Sequence, residues 1–222
     1  MVSLSLGGEC ISYEECEEDA IVAMCEKLIA AGISVVAAAG NSACDSCLQT
    51  PSFAPNVVTV GASDENDIAA LFSDYGKCID LYAPGVRINS ACADRLCESH
   101  SKYMVMSGTS MAAPHAAGVA AIVFQVTHLS PRNNKHPNTF INLLQMASTS
   151  KPTPEQVAKT ILCSAAKMKL SFDGVDPTKR QALDMTRNLL LQVPTRYSEE
   201  PCELGLGCEP SKCSGASNLL LF

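Results

Sequence analysis

The segment Ser107-Gly108-Thr109-Ser110-Met111-Ala112-Ala113-Pro114-His115 holds the residues best spaced for chemistry. It sets a serine on a tight glycine turn where a long helix of small residues begins. Free N–H groups in a first helical turn, and the positive end of the helix dipole, favour negative charge beside the Ser110 hydroxyl. A serine that attacks a carbonyl needs such a place, because an oxyanion develops within about 3 Å of the serine amide. On these residues alone a plainer role stays open: Ser110 caps the helix and does nothing more.

A nucleophilic serine also needs a base, and the four histidines offer none. His115 lies five residues after Ser110, about 140° round a helix of 3.6 residues per turn, so it faces away. His100, His128 and His136 stand in polar or loop contexts. Cys44-Asp45-Ser46-Cys47 has CxxC spacing, but no second pair completes a zinc set, so a disulfide or inserted loop is expected there. Cys92 and Cys97 are placed to close a small surface loop.

The elements around these residues read as alternating strands and helices. Val2 to Leu6 is a short strand stopped by Gly7-Gly8. Ser12 and Glu15 form a capping box for a helix whose apolar face is Ile21, Met24, Leu28 and Ala31, ended by Gly32. Ile33 to Ala39 is a buried strand closed by Gly40-Asn41, and strand, helix, strand implies a right-handed parallel crossover. Val57 to Ala62, Cys78 to Tyr82 and Tyr103 to Ser107 are further strands. Ser110 to about Thr127 is a helix apolar nearly all round, and so expected to be buried. Thr153 caps another helix, with Pro154 at its first position, running to about Lys167. The fold class expected is α/β, a parallel sheet with helices on both faces. Residues 1–195 form the domain, with an insertion at about 130–152 that includes a short helix over Thr139 to Ala147. Residues 196–222 form a tail containing Cys202, Cys208 and Cys213.

Composition narrows the partners. The chain has 222 residues, 47% of them hydrophobic and 18% charged, which fits a globular domain. A net charge of −7 speaks against nucleic acid and anionic membranes. No apolar run reaches the roughly 18 residues that a membrane span needs. Twelve cysteines, an even number, point to an oxidising compartment. Met1 nevertheless leads straight into Val2-Ser3-Leu4-Ser5-Leu6, with neither basic n-region nor cleavage site. A missing N-terminal portion would reconcile the two.

The serine segment resembles the active-serine motif of the subtilisin-like serine peptidases, in particular the proteinase K branch. Other blocks follow in that family's order: Ser5-Leu6-Gly7-Gly8, Val35-Val36-Ala37-Ala38-Ala39-Gly40-Asn41, Pro55-Asn56-Val57-Val58-Thr59-Val60-Gly61-Ala62-Ser63, Phe72-Ser73-Asp74-Tyr75-Gly76 and Ala83-Pro84-Gly85. The likeness covers residues 2 to about 128 well, and 153 to 193 weakly.

That resemblance implies a secreted serine endopeptidase acting on proteins or peptides, a monomer without nucleic-acid or membrane partners. It implies Ser110 as nucleophile and Asn41 as the side-chain oxyanion donor, although Asn41 as a plain strand-ending residue is the competing reading. Ser5, Leu6 and Gly7 would form one wall of the pocket for the residue before the scissile bond, and Ala38, Ala39 and Gly40 the other. No cofactor is needed for the chemistry, but the carbonyls of Pro55 and Val57 with the Asp80 carboxylate resemble a structural calcium site. Val58 stands where the proteinase K branch has a paired cysteine. His115 matches a structural histidine. The family's catalytic Asp and His precede the Ser5–Gly8 block and have no counterpart here. The expectation is therefore a truncated form, inactive alone. The alternatives are a non-catalytic pseudo-peptidase that binds peptides in the retained groove, and a cysteine-rich interaction module.

Overall fold

The apolar runs of the sequence become the strands of one parallel sheet. A computed structural model of the chain describes residues 1–92, 97, 102–128, 151–179, 183 and 185–192. Strands β1 (Val2–Leu4), β3 (Val35–Ala38), β5 (Val58–Ser63) and β6 (Leu81–Pro84) lie side by side and parallel. β10 (Leu189–Leu190) extends the sheet parallel to β6, and β9 (Ala166–Lys167) closes it antiparallel to β10. The strand order is β1-β3-β5-β6-β10-β9.

Alternation along β3 shows how the sheet takes helices on both faces. Successive side chains of a strand point to opposite sides. Val35 and Ala37 pack with Val22 and Cys25 of helix α2 (Ala20–Ala30), together with Ala54 and Val57. Val36 and Ala38 pack on the other face with Ala112, Ala113 and Ala116 of helix α3 (Thr109–His128) and Ile161 of helix α4 (Pro154–Ser164). The expected α/β class is the observed one.

Several boundaries differ from the sequence expectation. The first helix is two: α1 (Tyr13–Glu18) stops at Asp19, whose extended ψ of 133° and side-chain bond to the Ile21 N–H start α2 afresh. The buried stripe of α2 is consequently Val22 and Cys25, leaving Ile21 and Met24 exposed. Ser12 accepts from the Glu15 N–H as expected, but the Glu15 carboxylate reaches back to the Ile11 N–H. Helix α3 buries only one side, through Ala112, Ala113, Ala116, Ala117, Val119, Ala120 and Val123, while Pro114, Gly118 and Ile122 are exposed. Its small side chains let it lie close on the sheet; they do not enclose it. β6 begins at Leu81, three residues later than Cys78, which is bonded to Cys47. α4 carries the expected Thr153 cap but ends at Ser164, where Ala166 and Lys167 leave for β9.

Two short ribbons complete the frame: β2 (Gly8–Glu9) with β4 (Gln49–Thr50), and β7 (Ile88–Ala91) with β8 (Tyr103–Met106), both antiparallel. Cys92–Cys97 closes the loop expected of it, and Cys10–Cys16 ties the approach to α1. The CxxC unit does not close on itself. Cys47 pairs with Cys78, and Cys44 is a free thiol. The helix expected over Thr139 to Ala147 and the tail 196–222 lie outside the described residues.

Candidate active site

Three chain segments meet at the carboxyl ends of β1 and β3, the usual place for a site in a parallel sheet. One is Ser5-Leu6-Gly7, just past β1. The second is Ala39-Gly40-Asn41, just past β3. The third is the start of α3, where Gly108 hands over to Thr109 and Ser110.

Thr109 joins the last two. Its N–H donates to Asn41 Oδ1 at 2.8 Å, and its hydroxyl lies 3.0 Å from the same oxygen and 3.2 Å from the Gly40 N–H nitrogen. A backbone N–H can only donate, so it must face the oxygen end of the Asn41 amide. The NH2 end is thereby turned away from Thr109 as a fixed donor. In the first turn of α3, Thr109 N–H is taken by Asn41 and Met111 N–H by the Gly108 carbonyl. The Ser110 N–H between them has no hydrogen-bond partner among the described residues. Ser110 thus offers a donor at a helix N-terminus, where negative charge is favoured.

The loop carrying Asn41 is braced from behind by Asp74. Its Oδ1 accepts from the N–H groups of Ser42 (2.9 Å) and Cys44 (3.0 Å), and its own N–H donates to the Gly40 carbonyl at 3.1 Å. Gly40 has a φ of +112°, and a Cβ there would collide with Asp74 Oδ2, so only glycine fits. Asp74 is fully buried and its Oδ2 has no hydrogen-bond partner among the described residues. Burial pushes its pKa above the ordinary carboxylate range, against the lowering effect of the Cys44 and Ser42 N–H groups.

Leu6, Gly7, Ala38, Ala39, Gly40, Asn41 and Ser110 line one cleft of about 320 Å³. Ser5 is placed differently from the expectation. It does not line the cleft; its hydroxyl donates to the Ser110 carbonyl at 2.8 Å and its carbonyl lies 3.4 Å from Ser110 Oγ. Six further lining residues were not expected from the sequence: Gly8, Glu9, Ser42, Gln49, Thr50 and Thr109. Gly8, Glu9, Gln49 and Thr50 arrive through the β2–β4 pairing, and strands of two residues leave no periodicity to read. A smaller cleft of about 210 Å³ lies elsewhere, beside Tyr75 and Phe172. Its lysine, Lys179, already sits over the Tyr75 ring and donates to the Ala43 carbonyl.

The base is a different matter. His115 Nδ1 lies 2.8 Å from the carbonyl of Met111, one turn back on α3, in keeping with its expected structural role. The Ser110 hydroxyl meets only the Ser5 carbonyl among the described residues, and a peptide carbonyl is no base.

The residues expected to hold calcium do not fit it. Asp80 is fully buried, with Oδ2 accepting from the Thr59 N–H at 2.9 Å and Oδ1 facing Arg187 Nη1 at 3.4 Å. Its charge is already faced by a guanidinium, which disfavours a dication on the same carboxylate.

Likeness to known proteins agrees with this geometry. A sequence model of peptidase S8, the subtilase family, matches residues 1–182. The chain is 43% identical over 119 residues to a subtilisin-like proteinase of Magnaporthiopsis poae, covering 54% of this chain and 27% of that one. It is 42% identical over 130 residues to subtilisin-like protease 2 of Pseudogymnoascus destructans, covering 59% and 30%. Among solved structures, a cold-adapted subtilisin-like serine proteinase superposes with a TM-score of 0.61 at 33% identity, over 86% of this chain and 53% of that one. The chain spans less than a third of these curated relatives and about half of the solved one.

Proposed function

The chain belongs to the subtilase family, and from that membership we propose that it carries the nucleophile and oxyanion half of a serine endopeptidase. Ser110 Oγ attacks the peptide carbonyl and forms the acyl-enzyme. The Ser110 N–H and the Asn41 amide nitrogen hold the oxyanion, and Leu6–Gly7 with Ala38–Gly40 enclose the residue before the scissile bond. The substrate strand runs along the Ser5–Gly7 edge through backbone hydrogen bonds. Water then releases the acyl group. The observation that supports this best is the pinning of Asn41 Oδ1 by the donor-only N–H of Thr109, which leaves a fixed donor beside the Ser110 N–H, itself without a partner among the described residues. The disulfides Cys10–Cys16, Cys47–Cys78 and Cys92–Cys97 accord with a secreted protein.

A serine without a base is a poor nucleophile. Turnover of peptide bonds by the 222 residues on their own is therefore negligible; removal of the histidine from subtilisin costs about 10⁶-fold in kcat. That the described residues place no base beside Ser110 also favours a second role, a pseudo-peptidase that binds peptides without cutting. Imidazole supplied in solution separates the two. With an activated peptide ester in imidazole buffer, the nucleophile role predicts turnover above that of Ser110→Ala, and a further loss of about 10²–10³-fold in Asn41→Ala. Equal rates for the parent chain and Ser110→Ala would leave only the peptide binder.

A further inference from the structure

We infer that the cleft beside Ser110 selects peptides that place a lysine or arginine side chain in it, and that Glu9 sets this selection. The preference gives a substrate class to the peptide-cleaving role proposed above, and rests on it.

Glu9 and Gln49 are directly opposed in the antiparallel β2–β4 pair. Residues so paired project to the same face. Gln49 marks which face that is: its side chain is buried, its Cγ lies 3.2 Å from where a Cβ on Gly40 would stand, and its Nε2 reaches Cys44 Sγ at 3.5 Å. It therefore packs on the Gly40 wall, and Glu9 lies beside it at the cleft.

The electrostatics of the cleft are one-sided. Glu9 is its single charged lining residue among those described, and no cation pairs with it among them. Behind the Gly40 wall sits the buried carboxyl of Asp74. The charge of Glu9 acts through that wall, adding smaller upward pushes to the Asp74 and Cys44 pKa values already raised by burial. The other groups lining the space are glycines, alanines, Leu6, hydroxyls and the neutral amides of Asn41 and Gln49, so the cleft has room for a long stem and a negative group to meet its end. An acidic side chain would meet like charge, and a neutral one would gain only apolar contact.

Dye-labelled acetyl tetrapeptide amides that differ only in the last residue test this by fluorescence anisotropy with the full chain. Because Glu9 is exposed, the lysine and arginine peptides should bind about three- to tenfold tighter than the leucine peptide at low salt, with glutamate weakest. The gap should narrow at high salt. In Glu9→Gln the lysine-to-leucine ratio should fall to near one, and Glu9→Lys should favour glutamate. Glu14→Gln, which removes an equal charge from α1, should keep the parent ratio. Moving the lysine to the first position of the peptide should abolish its advantage. Equal binding of lysine and leucine by the parent chain, or a preference that survives Glu9→Gln, would overturn the role of Glu9 alone. Failure of every peptide to bind would overturn the peptide groove with it.

Discussion

Thr109 and Asp74 divide the work of holding Asn41, the proposed oxyanion donor, in place. Thr109 fixes which end of the Asn41 amide is presented, and Asp74 fixes the loop on which Asn41 stands. Asp74 does this as a buried acid, and its stability effect has a definite sign. A carboxyl whose folded pKa is raised binds its proton more tightly when folded. Its favourable contribution is fully present below the unfolded value near 3.8 and is lost as pH rises through the folded value. Asp74→Asn keeps an acceptor for the Ser42 and Cys44 N–H groups without the charge. It should therefore melt higher than the parent chain at pH 7, and the difference should vanish as pH falls below about 4. Thermal melts at several pH values check this. A variant that melts lower at pH 7, or a pH-independent difference, would show that the Asp74 charge is not the cost inferred.

At the scale of elements, the sequence was most readable where one local rule sufficed. The continuous apolar runs marked β3 and β5, and the glycine turn before a run of small residues placed Ser110 at the start of α3. Asn41 and the walls of the cleft were legible through the family-like blocks that surround them. What escaped depended on partners distant in the chain. The facing of Glu9 and Gln49 joins segments about 40 residues apart through strands too short to show alternation. The one-sided burial of α3 follows from what packs on it, which its composition does not say. The contact of Asp80 with Arg187 was not legible, because the two lie 107 residues apart. That ion pair makes its own prediction. Arg187→Met leaves a buried carboxylate without its cation and should cost about 3–5 kcal/mol in urea unfolding. Addition of calcium or a chelator should leave the parent midpoint unchanged. A calcium-dependent midpoint in the parent chain would restore the metal site.

For the molecule as a whole, a mostly parallel sheet with helices on both faces brings Ser110, Asn41 and the candidate cleft, the parts of the proposed nucleophile and oxyanion site, to one edge, and the described residues place no base at Ser110. On the proposed role, the surroundings of Ser110 poise its hydroxyl for attack, and a proton acceptor is what the described residues lack. Intact-protein mass spectrometry after exposure to a fluorophosphonate tests it most directly, since attack by Ser110 Oγ expels fluoride and leaves a phosphonyl adduct. With imidazole in the buffer to take the proton, the chain should gain one adduct that peptide mapping places on Ser110, and Ser110→Ala should gain none. Absence of the adduct, or the same mass gain in Ser110→Ala, would contradict the account.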